Sequence, residues 1–67
     1  MTGTVLQVVN AGTFFLLVVN LRTRIAEQPI ERRYLRDILA GEGLAEPSDL
    51  VGRQVELSDD GLSIAFV

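Results

Sequence analysis

The feature that most constrains the fold is the uncharged start of the chain. Residues 1–21 contain no charged side chain and are rich in Val, Leu, Phe and Thr. A stretch of this length could cross a bilayer as a helix, and Arg22 and Arg24 follow it as a stop-transfer flank would. However, Asn10-Ala11-Gly12 is a turn signal near its middle, and β-branched and aromatic residues favour strands. We therefore predict a β-hairpin and no membrane segment, and with no targeting signal the expected location is cytoplasmic.

The predicted hairpin runs through Thr4–Val9 and Phe14–Leu21, with Val5 opposite Val18. Side chains alternate along a strand, and here both sets are apolar, whereas a hairpin with one wet face alternates apolar with polar. Both faces should therefore be covered, one by the rest of the chain and the other by a second copy. The expected oligomer interface is one of two sets, which are Phe14, Leu16 and Val18 or else Phe15, Leu17 and Val19.

The middle of the chain predicts one amphipathic helix. Residues 22–29 are polar and read as a connection, and Pro29–Ala40 carries apolar residues at helical spacing. Gly41 and Gly43 supply the stop. The apolar stripe consists of Ile30, Tyr34, Leu35, Ile38 and Leu39. The segment Glu46–Asp49 is then expected to form a turn or a single helical turn.

The last third predicts a second hairpin, Val51–Leu57 and Leu62–Val67, around Asp60-Gly61. A two-residue loop places Leu57 opposite Ile64 and Val55 opposite Phe66, and a four-residue loop over 58–61 keeps the same faces. The expected fold class is therefore α+β, with order ββαββ. It is a single small domain over 1–67 in which two antiparallel hairpins surround one amphipathic helix, as a small or swapped barrel.

A resemblance to one family rests on Pro29-Ile30-Glu31-Arg32-Arg33-Tyr34-Leu35 followed by the hairpin with Asp60-Gly61. This order of elements resembles the swapped-hairpin barrels of dimeric AbrB-type transcription factors. The chain departs from that pattern in its longer connection from Leu21 to Pro29 and in lacking a basic amino-terminal strand. Small barrels of the SH3-like and OB-like kinds fit the order equally well.

The residue types present exclude most catalytic chemistry. Cys, His and Lys are absent, which removes the common nucleophiles, the commonest general base and the usual transition-metal ligands. Asp59-Asp60 near Glu56 is better explained as turn chemistry than as a cation site. We expect no enzyme, no catalytic residues, no cofactor and no metal.

Charge is distributed in blocks, and the middle block is basic. Residues 22–36 sum to +3 and residues 37–67 to −6, which gives the net charge of −3. Five arginines form a candidate polyanion-binding set: Arg22, Arg24, Arg32, Arg33 and Arg36. Two functions follow. The first is a non-enzymatic interaction module that self-associates through the hydrophobic hairpin, as a homodimer. The alternative is a dimeric nucleic-acid-binding barrel that uses the arginines. Besides a second copy of the chain, the expected partners are another protein or a nucleic acid.

Overall fold

The computed structural model of the chain describes residues 1–59 and 63–66, which form a small α+β domain. Its five strands make one antiparallel sheet in the order β3-β2-β1-β4-β5. The elements, in chain order, are β1 (Thr2–Asn10), β2 (Phe14–Leu21), β3 (Ile25–Glu31), α1 (Arg32–Glu42), a 3₁₀ turn (Pro47–Leu50), β4 (Gln54–Leu57) and β5 (Ile64–Phe66). Because β1 pairs with β4 as well as with β2, both hairpins join one sheet within a single chain without strand exchange.

The polar connection expected over 22–29 is wrong, because this region contains strand β3. It pairs along the full length of β2, from Asn20 opposite Ile25 to Phe14 opposite Glu31. Ile30 is buried, while Glu27, three residues earlier on the opposite face of the strand, is exposed. The order of elements is therefore βββαββ, and α1 begins at Arg32 instead of Pro29.

The expected register of the first hairpin is also wrong: Val9 lies opposite Leu16 instead of Phe14, and a β-bulge in β1 shifts the pairing again toward Val5. Val5 lies opposite Val19, whereas Gln7 lies opposite Val18, so Leu6 is an extra residue in β1. Because a bulge adds one residue to a strand, the side chains on one side of the bulge along that strand are turned to the opposite face of the sheet. Val5 is therefore turned into the core, where 1% of it is exposed, while Leu6 is 44% exposed.

Helix α1 packs on the inner face of the sheet and buries only part of its expected stripe. Leu35 and Leu39 are buried and Ile38 is half-buried, but Tyr34 is 49% exposed. The helix ends at Gly43, which adopts the left-handed φ of +71° that glycine tolerates best. The core is entirely apolar and consists of Val5, Phe15, Leu17, Val19, Leu21, Ile30, Leu35, Leu39, Leu50, Val55, Leu57 and Ile64.

The second hairpin confirms the expected pairing of Leu57 with Ile64 and of Val55 with Phe66. The expected single helical turn is confirmed as the 3₁₀ turn, while β4 begins at Gln54 and not at Val51. The loop residues Asp60 and Gly61, together with Leu62 and Val67, lie outside the described residues. Within the described part of the chain, no helix has the length and apolar character needed to cross a bilayer.

Candidate functional site

The two faces of the sheet are covered differently. α1 and the 3₁₀ turn lie against the inner face, where they contact β1, β2 and β3. Among the described residues, no helix lies on the outer face. The uncovered area is centred on the first hairpin, where the sequence places apolar residues on both sides of each strand.

The outer patch is a group of apolar side chains on this uncovered face. Val9, Leu16 and Pro29 lie side by side on β1, β2 and β3, and Phe14 and Val18 flank Leu16 along β2. From strand spacing, the patch extends about 10 Å across the strands and about 13 Å along them. Val9 and Phe14 are each 37% exposed. We define the outer patch as Leu6, Val9, Phe14, Leu16, Val18 and Pro29.

The structure places the two alternative interface sets on opposite faces. Phe15, Leu17 and Val19 point inward and are 8%, 0% and 0% exposed, respectively, so they form the core of a single chain. The other set belongs to the outer patch: Phe14 is exposed, and Leu16 and Val18 are half-buried. Only this outer set is accessible to a second molecule.

The five arginines fall into two separate groups. Arg22 and Arg24 lie in the turn between β2 and β3, at one end of these strands. The other three belong to α1, which begins beside Phe14 at the opposite end of β2. The length of β2 separates the two groups by about 23 Å. All five side chains are exposed: Arg22, Arg24, Arg32, Arg33 and Arg36.

Arg32 is held by contacts within the chain. Its Nε donates to the Gly12 carbonyl at 3.0 Å, and one Nη donates to Asn10 Oδ1 at 2.6 Å. Its guanidinium lies 4.6 Å from the centre of the Phe15 ring, within the range of a cation–π interaction. Arg32 therefore fastens the start of α1 to the loop of the first hairpin. Sequence spacing gives no signal for this, because the loop lies 20 residues upstream.

The charge on the outer face is negative. Glu27 lies opposite Val18, and Glu31 lies opposite Phe14. Glu56 lies opposite Thr2, whose hydroxyl donates to Oε2 at 2.5 Å, while the Met1 ammonium donates to Oε1 at 2.8 Å. The bonds from Met1 and then Thr2 lower the pKa of Glu56 from its ordinary value. None of the strand residues described on this face is basic.

The described residues contain no group of acidic side chains arranged to hold a metal ion. Comparisons with known proteins give no matching family model, no matching curated protein and no matching solved structure.

Proposed function

We propose that this protein is a non-enzymatic interaction module that forms a homodimer through the outer patch. The observation that carries the proposal is the row Val9, Leu16 and Pro29, which is apolar across three neighbouring strands and lies on the uncovered face. Contiguous exposed apolar surface of this kind is typical of interaction sites. A domain of 67 residues also gains stability from a partner subunit, since its own core is small.

Pairing through the face of the sheet is favoured over pairing through its β3 edge. Pro29 lies in β3, the strand at one end of the sheet, and proline has no amide hydrogen to donate to a neighbouring strand. Proline on an edge strand is a common device against edge-to-edge association. Two copies packed face to face through a two-fold axis would bury the same patch on each.

The protein partner is also favoured over the nucleic-acid alternative. Polyanion binding needs positive charges along one surface, but the arginines lie at both ends of β2 and Arg32 is engaged by Gly12 and Asn10. The outer face itself carries Glu27 and Glu31. An acidic and apolar surface suits a protein partner better than a phosphate backbone.

The finer architecture that we propose is a small, partly open barrel. The two end strands of the sheet, β3 and β5, line the same groove through Ile30 and Ile64. This arrangement is expected when a twisted sheet curls until its ends approach each other. In such a barrel the outer patch lies on the convex side, where a second copy has access.

Sedimentation velocity at micromolar concentration tests the proposal. We expect a dimer for the wild type, and a folded monomer for Val18→Asp because the new carboxylate would be buried against the partner. Asn20→Asp is the matched control, since it lies on the same face of the same strand but outside the patch, and it should remain a dimer. A monomeric wild type, or a dimeric Val18→Asp variant, would contradict the proposal.

A further inference from the structure

A groove lies between the two end strands of the sheet, which are not paired with each other. It includes a cavity of about 490 Å³, lined by Ile30 and Glu31 of β3, Tyr34 of α1, and Ile64 of β5. A second cavity of about 210 Å³ continues it along Ala26, Gln28, Leu57 and Asp59. Gln28 lines both cavities. We call this continuous groove the seam.

One rim of the seam is the free backbone edge of β3. The amide of Leu21 donates to the carbonyl of Arg24 at 2.8 Å, so the backbone groups of Leu21 point toward β3. The direction of the backbone N–H and C=O groups alternates from residue to residue along a strand. Those of Leu17 therefore also point toward β3, and those of its partner Gln28 point back toward β2. The backbone groups of Ile25, Glu27, Pro29 and Glu31 therefore face the seam. Pro29 has no amide hydrogen and its carbonyl accepts from the Gln28 side chain at 3.5 Å, and Glu31 caps α1, so Ile25 and Glu27 offer the β3 groups for strand addition.

The other rim is the free backbone edge of β5. The amide of Ser58 donates to the carbonyl of Ser63 at 3.0 Å, so Ser63 points toward β4. By the same alternation, the amides and carbonyls of Ile64 and Phe66 point away from β4 and into the seam. Two strand edges therefore border one groove whose floor contains the buried side chains of Ile30 and Ile64.

The charges along the seam are mostly negative. Glu27, Glu31 and Asp59 line its cavities, against Arg24 and the Met1 ammonium, which is already paired with Glu56. A positively charged ligand therefore fits the seam better than a negative one. A second copy pairing edge to edge through β3 is disfavoured, because each copy would bring Pro29, which has no amide hydrogen, and the same acidic side chains to the rim.

We propose that the seam binds an extended basic and apolar peptide segment of another protein by strand addition. The peptide backbone would bond to Ile64 and Phe66 on one side and to β3 on the other, as in other complexes in which a peptide adds a strand to a sheet edge. Alternate apolar side chains would contact Ile30 and Ile64, and the intervening Lys or Arg side chains would approach the carboxylates. The seam borders the outer patch at Pro29, which belongs to both, while Ile30 and Ile64 on its floor belong to the seam alone.

Fluorescence anisotropy with labelled peptides tests strand addition directly. The probe is an alternating Lys-Val peptide of about eight residues, a typical strand length. It is compared with an alternating Glu-Val peptide and with a Lys-Val peptide whose alternate amides are N-methylated. We expect the Lys-Val peptide to bind. N-methylation should weaken binding about tenfold, because several backbone hydrogen bonds are lost. The Glu-Val peptide should not bind.

Amide chemical-shift changes locate the complex. We expect them at Ile64, Phe66 and Glu27, whereas changes confined to Val9 and Leu16 would place the peptide on the outer patch and overturn the proposal. Equal binding of the N-methylated peptide would show simple charge attraction. The absence of any Lys-Val binding would show that the rims close on each other. Both outcomes overturn strand addition, and neither bears on the dimer that sedimentation measures.

A matched pair of variants tests the charge argument. Glu31→Gln removes a carboxylate of the seam, and Asp37→Asn removes an exposed carboxylate of α1 that does not line it. At low salt we expect Glu31→Gln to weaken Lys-Val binding about threefold, as for an exposed ion pair, and Asp37→Asn to leave binding unchanged. Equal effects of the two variants would contradict the role of the seam carboxylates.

Discussion

The two faces of β2 carry the same residue types but differ in burial. Phe15, Leu17 and Val19 point inward, and Phe14, Leu16 and Val18 point outward, so each face presents one Phe, one Leu and one Val. The inner set is almost completely buried, whereas the outer set is partly exposed. Hydrophobicity alone therefore does not decide which side becomes the core. The face on which α1 packs forms the core, and the bulge in β1 turns Val5 toward that face.

The largest expected effect comes from adding the same charge to each face. Leu17→Asp buries a carboxylate in an apolar core at a cost of several kcal/mol. A domain of this size has a free energy of unfolding of only about 5 kcal/mol, so the variant should be unfolded. Leu16→Asp, one residue away, should give a folded monomer. Circular dichroism and sedimentation check both variants. A folded Leu17→Asp variant would mean that the inner face is not the core.

A smaller effect is expected from adding one methyl group to the inner face. A Cβ at Gly3 would lie 2.6 Å from Val19 Cγ1 and 2.9 Å from the carbonyl oxygen of Asn20. Gly3→Ala should therefore lower the free energy of unfolding by about 1–3 kcal/mol. Gly41 in α1 has open space around it, and Gly41→Ala should raise stability by about 0.5–1 kcal/mol. Urea denaturation measures both values. A neutral Gly3→Ala substitution would show that the inner face has spare room.

The contacts of Arg32 mark the border between the two faces, because it bonds to the hairpin loop and stacks on inward-pointing Phe15. Arg32→Ala should lower the free energy of unfolding by about 1 kcal/mol through lost hydrogen bonds and the cation–π contact. Arg33→Ala, with an exposed side chain, should change it by less than about 0.5 kcal/mol. Equal values in urea denaturation would mean that the Arg32 contacts contribute nothing.

The smallest expected effect is an acid-dependent one on the outer face. The pKa of Glu56 is lowered from 4.5 by bonds from Met1 and Thr2, so the folded state favours the ionised carboxylate. Its contribution to stability is therefore present above pH 4.5 and is lost as the pH falls through the lower folded pKa. As the pH is lowered, Tm should decrease less in Glu56→Gln than in the wild type, whereas Asp37→Asn should behave like the wild type. If Tm decreases at acid pH in Glu56→Gln as much as in the wild type, the role of these bonds is contradicted.

Patterns that repeat along the chain were sufficient to predict several elements. The apolar alternation around Leu57 and Ile64 correctly predicted the register of the second hairpin. The helix was expected to end at Ala40, but Gly41 lies inside α1 and Gly43 alone caps it. Strand β3 was missed because Glu27 and Gln28 made its sequence look like a polar connection. Pro29 also suggested the start of a helix, whereas in the structure it lies in an edge strand. Local polarity therefore concealed a strand that follows β2 after a short turn and pairs with it as a hairpin.

The candidate site was predicted only in part. Alternation showed that the first hairpin has two apolar faces, but the choice between Phe14 and Phe15 required knowledge of where α1 packs. The arginines were close in sequence, and the structure separates Arg22 from Arg36 by the length of β2. The seam had no sequence signal, because Ile30 and Ile64, which line the same cavity, lie far apart in the sequence on the two end strands of the sheet.

The bulge at Leu6 has a consequence for how this domain could be re-engineered. Gly3 and Thr4 pair with β4 as well as with β2, whereas Gln7–Asn10 pair with β2 alone. Leu6 therefore separates a part of β1 that joins the two hairpins from a part that belongs only to the first. Designers who wish to give this scaffold a new recognition surface should vary the outward positions beyond that corner. They should keep the number of residues before it unchanged, since one insertion there would turn Val5 out of the core.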